Sequence, residues 1–169
     1  LHDYFVPRIE QRRREPTGDL LSEMVNAEVD GEGRLTTEEL LPIIDQVLLA
    51  GHETTTNLIG NAMLVLLRDP ALMARVRGEP ALIETFLEEV LRFDAPIQCT
   101  YRRATADTAL RGTSVQRGQM VVPLWAAAGR DPAVFPRPEE FDLDRSNVRL
   151  HMGFGYGPHF CAGAELARL

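Results

Sequence analysis

Long apolar runs, cysteine and surplus positive charge are all scarce in this sequence, and each scarcity excludes something. The longest apolar stretches, around residues 47–51 and 120–129, fall short of the ~20 residues that a membrane-spanning helix needs. No secretory leader pattern opens the chain, so the sequence predicts a cytoplasmic protein with no membrane partner. Basic side chains number 18 against 25 acidic, a net charge of −7. The densest basic cluster, Arg12, Arg13 and Arg14, stands between Glu10 and Glu15 and reads as a solvated helix face. Nucleic acid, which requires a dense cationic surface, is therefore not an expected partner. The two cysteines, Cys99 and Cys161, are expected to be reduced and are judged separately. Internal repeats and low-complexity tracts are absent too.

What remains is 169 residues, 44% apolar and 25% charged, the profile of one globular domain or part of one. The chain begins at Leu1 without Met and closes on Cys161–Leu169, a helical pattern with no stop signal, so it is expected to be truncated at both ends.

Apolar spacing predicts a helix over 1–14, broken at Pro16-Thr-Gly18. A second helix runs from an Asp19 cap to about Ala27, with Leu20, Leu21, Met24 and Val25 on its buried side. Asp30-Gly-Glu-Gly33 reads as a turn. Thr36-x-x-Glu39 is a capping box that opens a long helix over about 36–68, with Pro42 able to kink its first turns. Apart from His52-Glu-Thr-Thr-Thr-Asn57, that helix is apolar all round and is expected to cross the interior. Asp69-Pro70 starts a short helix ended by Gly78, and another runs over about 80–93. Residues 97–124, rich in β-branched residues with turn glycines at 112 and 118, predict a small antiparallel sheet. Loop follows from Arg130 until a helix resumes over 161–169.

Three motifs fail on their own chemistry. Residues 28–39 have the spacing of a calcium-binding EF-hand loop, but Glu28 and Glu32 stand where the tight loop wants Asp or Asn. His52-Glu53 opens like a zinc-protease motif, yet the second histidine's place is Thr56. Gly153-Phe-Gly155-Tyr-Gly157-Pro158 has proline in the place of the third glycine of a dinucleotide fingerprint, and no strand–helix unit surrounds it. Cys161 is different. Glycines flank it, His159 stands two residues before it, and a predicted helix begins there, a setting that stabilises a thiolate able to ligate a metal or act as a nucleophile.

Phe154-x-x-Gly157-x-His159-x-Cys161-x-Gly163 resembles the haem-binding signature of the cytochrome P-450 family, the haem-thiolate monooxygenases. Three further segments resemble that family in the right order. They are Ala50-Gly-His-Glu-Thr-Thr55 in the central helix, Glu89-x-x-Arg92, and Arg130-Asp-Pro132 with Phe135-Pro136 and Phe141-Asp-Leu-Asp-Arg145 before the cysteine loop at about 152–161. The resemblance implies a mainly α fold with a small antiparallel β-sheet, the family's middle and later portion.

By the same resemblance, Cys161 is the axial thiolate of a haem b iron, and thiolate ligation favours O–O cleavage. His159 and Arg102 take the places of propionate partners, with Arg103 the other register, and Phe154, Gly155 and Ala50 border the cofactor. Glu89, Arg92 and Arg145 form a buried triad that holds the cysteine loop. Ala50 and Gly51 leave room for dioxygen, the Thr54 hydroxyl can compete for the Ala50 carbonyl and loosen the helix, and Glu53 passes protons inward. Gln46, Leu49, Ile97, Gln98 and Thr100 match substrate-lining positions.

The implied activity is insertion of one oxygen atom of O2 into a small organic substrate. Electrons come ultimately from NAD(P)H through a ferredoxin reductase and a ferredoxin, the arrangement of the soluble bacterial members whose wording this sequence shares. Two alternatives are a peroxide-using relative and a haem-binding sensor or carrier, and retention of Glu53-Thr54 distinguishes the first reading from both. The 169 residues alone are expected to bind haem weakly and to be inactive.

Overall fold

A computed structural model describes residues 1–28, 31 and 33–169. The chain falls into two units, Leu1–Glu53 and Thr54–Leu169, and one helix is continuous through the boundary.

The first unit contains α1 (His2–Arg14), α2 (Leu20–Asn26) and the first half of α3 (Thr37–Arg68). Ile9, Val25, Leu40 and Ile44 form its buried core, with Phe5, Leu21 and Met24 packed against it. Asp19 caps α2 by accepting the Ser22 N–H at 2.8 Å and also binds Arg12. Leu20, expected on the buried side of α2, is exposed, and Ser22 is buried in its stead. The Ser22 hydroxyl meets the backbone N–H and hydroxyl of Thr17, so the entry to the helix turns a polar residue inward. The turn expected at 30–33 and the calcium-loop spacing fall partly on Val29, Asp30 and Glu32, which lie outside the described residues. The capping box before α3 is formed in both directions: Thr36 N–H donates to the Glu39 carboxylate, and Glu39 N–H donates to Thr36 Oγ1.

α3 runs without interruption past Pro42 to Arg68. Its all-round apolar character predicts a helix that crosses an interior, but within this chain it is buried along only part of its surface. Leu40, Ile44, Leu58 and Ala62 are buried, while Val47, Leu48, Leu49, Ile59, Met63, Leu64 and Leu67 are exposed. No helix among the described residues is long and apolar enough to cross a membrane.

The second unit holds the rest of α3, then α4 (Pro70–Gly78), capped by Asp69, and α5 (Leu82–Phe93). Residues 80–81 form a turn ahead of α5, so the helix starts at Leu82 and not at Pro80. Leu58, Ala62, Val76, Phe86, Val90, Leu91 and Leu143 make the core. The region 97–124 forms two separate two-stranded ladders in place of one sheet. β1 (Arg102–Arg103) pairs with β4 (Met120–Val121), and β2 (Thr108–Leu110) pairs with β3 (Thr113–Val115). The inner hairpin turns on Arg111 and Gly112, both at positive φ, as a two-residue hairpin loop demands. Its strands are short and mostly exposed, so no buried face joins the ladders. Two elements carry no sequence signal strong enough to predict them: α6 (Trp125–Ala128) and a 3-10 turn at Val148–Leu150. A second 3-10 turn at Gly157–His159 precedes α7 (Ala164–Arg168).

Candidate functional site

α5 presents two consecutive carboxylates to the interior, and each organises a different part of the chain. Glu89, Arg92 and Arg145 come together as a closed cage. Arg92 Nε and Nη2 donate to the two Glu89 oxygens at 2.8 and 2.7 Å, and Arg145 Nε donates to Oε1 at 3.2 Å. Arg92 also donates to the carbonyls of Gly129, Pro138 and Glu140, and Arg145 to those of Pro136, Arg137 and Glu140. The Asp142 N–H closes on Glu89. Two guanidinium groups outnumber one carboxylate here, and the carbonyl dipoles offset the excess. The consequence is local: the loop from Gly129 to Arg145 is tied to α5. Gly129 has to be glycine, since a Cβ there would overlap the Arg92 carbonyl oxygen.

Glu88, which the sequence reading missed, organises a second cluster. Its carboxylate meets His151 Nε2 at 2.9 Å and accepts from Arg168 Nε at 2.6 Å. Burial alone would push the Glu88 carboxyl up, but the hydrogen bonds from His151 and Arg168 outweigh it and hold the group down at about 2. The signal was present as a Glu-Glu doublet in an otherwise apolar helix face, beside Phe86, Leu87, Val90 and Leu91.

Cys161 stands exposed in the segment between His151 and Arg168, the two partners of Glu88, and both cysteines are free thiols. It does not open a helix: α7 begins three residues later at Ala164, so the expected helix-end stabilisation is replaced by a loop closure. The Cys161 N–H donates to the Phe154 carbonyl at 2.9 Å. Gly155 and Gly157 adopt positive φ of 75° and 76°, which explains the glycines of the motif as backbone requirements. Phe154 packs on the core of the unit, and the Arg168 guanidinium lies 4.6 Å from its ring centroid. Around the thiol, Tyr156 is 79% and Phe160 50% exposed, a large apolar surface for so short a loop.

The remaining candidates are placed as follows. His159 ends the 3-10 turn and is exposed; Arg102 lies on β1, exposed, with a donor on the adjacent Tyr101 carbonyl. Among the described residues neither is paired with a carboxylate in the hydrogen bonds and ion pairs of the structure. Arg103, one residue on, donates to the Gly118 carbonyl. On α3, Gln46, Leu49, Ala50 and Glu53 are exposed and Thr54 is half-buried. A Cβ built on Gly51 meets open space. Ile97 is exposed, whereas Gln98 donates to the Ala95 carbonyl and Thr100 Oγ1 accepts from the Trp125 indole at 3.0 Å, so those two side chains fix the 97–100 segment. No group of three or more His, Cys, Asp or Glu side chains able to hold a metal ion occurs among the described residues.

This geometry can be set beside known proteins. The cytochrome P450 family model matches residues 1–169, and the chain belongs to the cytochrome P450 family. It is similar to cytochrome P450 109 of Bacillus spizizenii, at 43% identity over all of this chain and 41% of that protein. Among solved structures it is similar to cytochrome P450 CYP109Q5 of Chondromyces apiculatus, with a TM-score of 0.94 and 42% identity over 99% of this chain and 43% of that one. CYP109E1 of Bacillus megaterium, solved in complex with corticosterone, gives a TM-score of 0.92 at 42% identity, over 99% of this chain and 45% of that one. The chain thus spans about two-fifths of the length of the curated relatives it matches.

Proposed function

We propose that the chain carries the haem-thiolate portion of a monooxygenase that inserts one oxygen atom of O2 into a small organic substrate, with Cys161 as the iron ligand. The observation that carries this reading is the state of the cysteine loop. An exposed thiol is held by a fixed backbone in a loop with exposed aromatic rings, with two side chains able to donate to an anion, Arg102 and His159, that no carboxylate of the described residues engages. This is the donor set that haem asks for: one soft ligand, apolar contact for the macrocycle, and charge-assisted hydrogen bonds for two propionates.

Haem ligated by a thiolate supplies, when bound, the chemistry that cleaves O2, in a reaction that consumes two electrons and two protons and returns one oxygen atom as water. The chain's part is to hold and to protonate. Cys161 supplies the thiolate, Phe154 and Gly155 shape its loop, and Arg102 and His159 fix the orientation of the group. Glu53 and Thr54, neighbours on α3, deliver protons, Glu53 as the acid and Thr54 as the hydroxyl that directs them. That pair favours the O2-dependent reaction over a peroxide-using one, which needs no proton delivery, and over a carrier, which needs no chemistry. Ala50 borders the cofactor, and Gln46, Leu49, Ile97, Gln98 and Thr100 line the substrate side. The electron source is a ferredoxin served by an NAD(P)H-dependent reductase, in the cytoplasm.

The test is spectroscopic, on the product of the complete reading frame. Cys161→Ser abolishes the thiolate-type Soret band of the reduced carbon monoxide complex, and Cys99→Ser leaves it. Loss of the band in the Cys99 variant would overturn the assignment.

A further inference from the structure

We infer that Glu88, His151 and Arg168 form a positioning device for Cys161, a buried clamp that grips the cysteine segment at both ends and fixes the sulfur as a ligand. The inference rests on the reading of Cys161 as the haem ligand.

The clamp is built from three separate places in the chain. Glu88 comes from the middle of α5, His151 from the residue before the cysteine loop, and Arg168 from the end of α7 beyond it. Their side chains leave little to solvent: Glu88 and His151 are almost fully buried, and Arg168 is 18% exposed. A buried carboxylate with two partners on one segment is a costly arrangement, and it holds the segment only in the conformation that satisfies both.

Each arm reaches toward Cys161 by a traceable route. His151 Nδ1 accepts the Gly153 N–H at 3.0 Å, so Nε2 carries the hydrogen and donates it to Glu88. This fixes both the ring orientation and the turn that leads into Phe154. Gly153 is itself pressed against α5, where a Cβ would lie 3.2 Å from the Leu91 carbonyl oxygen. On the other arm, the guanidinium that Glu88 holds lies over the ring of Phe154, at 4.6 Å from its centroid. Phe154 in turn accepts the Cys161 N–H. Both arms therefore converge on the one residue whose carbonyl sets the Cys161 backbone. The Glu89 cage differs in this respect, since its carbonyl partners all lie between Gly129 and Glu140.

Second-sphere partners of this kind commonly change ligand binding by ~10- to 100-fold when removed. The experiment uses the haem-loaded product of the complete reading frame in three variants. E88Q keeps the volume and removes the charge, R168Q removes one arm, and E165Q removes only the rim contact of Arg168, from a carboxylate 92% exposed. Three quantities are read: the split of the reduced carbon monoxide complex between thiolate-type and thiol-type Soret bands, the iron midpoint potential, and the rate of haem transfer to an apo-globin acceptor. In E88Q and R168Q the thiol-type share rises, the potential shifts, and haem leaves roughly tenfold faster or more, while E165Q matches the parent. If E88Q does not fold, R168Q decides. Parent-like bands, potential and haem transfer in folded E88Q and R168Q, with only the urea midpoint moved, would overturn the inference, because the cluster would then be structural alone. Failure of both variants to fold would overturn it as well, by making the cluster part of the general core. A parent protein with no thiolate-type band would sink the functional reading first, and this inference with it.

Discussion

Arg92 and Arg145 are buried and give their N–H groups to Glu89 and to backbone carbonyls between residues 129 and 140, whereas Arg102, His159 and Cys161 of the same unit stand exposed, and no carboxylate among the described residues binds their side chains. The contrast separates the closed framework from the residues to which the proposed function assigns the cofactor. A buried charge survives only when every donor finds an acceptor, so the Glu89 cage is complete within this chain. On the proposed reading, groups that meet a ligand have to reach the surface of the protein part with donors to spare, and the cysteine loop is exposed in that way. The exposed apolar faces of α3 belong with the second kind of region: they are surface in this chain and carry residues that a soluble surface does not need.

The largest expected effect strikes the closed region. Arg92→Ala leaves the Glu89 carboxylate buried with Arg145 as its one cationic partner, removes the Arg92 donors from the carbonyls of Gly129 and Pro138, and leaves Glu140 with Arg145 alone. Removing one partner of a buried pair costs about 3–5 kcal/mol, which urea unfolding of the apo protein measures. A loss below about 1 kcal/mol, the size of an exposed pair, would mean that the cage is open to water and that the contrast is false.

A smaller effect, on chemistry and not on folding, is expected at α3. Thr54→Ala in the haem-loaded product of the complete reading frame keeps consuming the electron donor but gives product at a yield lower by up to ~100-fold, the low end of what positioned proton transfer contributes. Hydrogen peroxide rises to match, and Glu53→Gln slows turnover without that rise. Donor consumption, product and peroxide are measured in one reaction. Unchanged yield in Thr54→Ala would remove the Thr54 hydroxyl from the proton path, which then runs elsewhere or through a hydroxyl of the substrate itself.

The same division governs what could be read from sequence. The Thr36–Glu39 box, the Asp19 and Asp69 caps and the span of α3 were legible because each depends on neighbours within four residues. The glycines around Cys161 are visible as a pattern but suggest a helix start, since the apolar periodicity after the cysteine extends back to it, while the backbone is left-handed at Gly155 and Gly157 and α7 begins only at Ala164. The single sheet dissolved into two ladders because strands of two or three residues carry no face long enough to show an alternation. Glu88 was passed over for a different reason. Its partners, His151 and Arg168, lie 63 and 80 residues away, and no local rule connects them. Burial of α3 also failed as an expectation, because composition reports what a helix can pack against and not what this chain offers it.

The smallest expected change in stability is also the sharpest test of the open region. Arg102 and Arg103 are adjacent on β1, so their side chains leave opposite faces of the ladder with β4. Arg103 spends a donor on the Gly118 carbonyl across the turn, and Arg102 donates no further than its neighbour Tyr101. Either residue is exposed, so truncation to Ala shifts the urea midpoint by an amount equivalent to less than ~0.5 kcal/mol. Haem retention separates them. A charge-assisted hydrogen bond to a propionate is worth about 1.5–3 kcal/mol, so Arg102→Ala releases haem to an apo-globin acceptor roughly ten- to a hundredfold faster. Arg103→Ala leaves that rate at the parent value. The reverse result would place the propionate on the other face of the ladder, move the cofactor contact to Arg103, and leave Arg102 an ordinary surface residue.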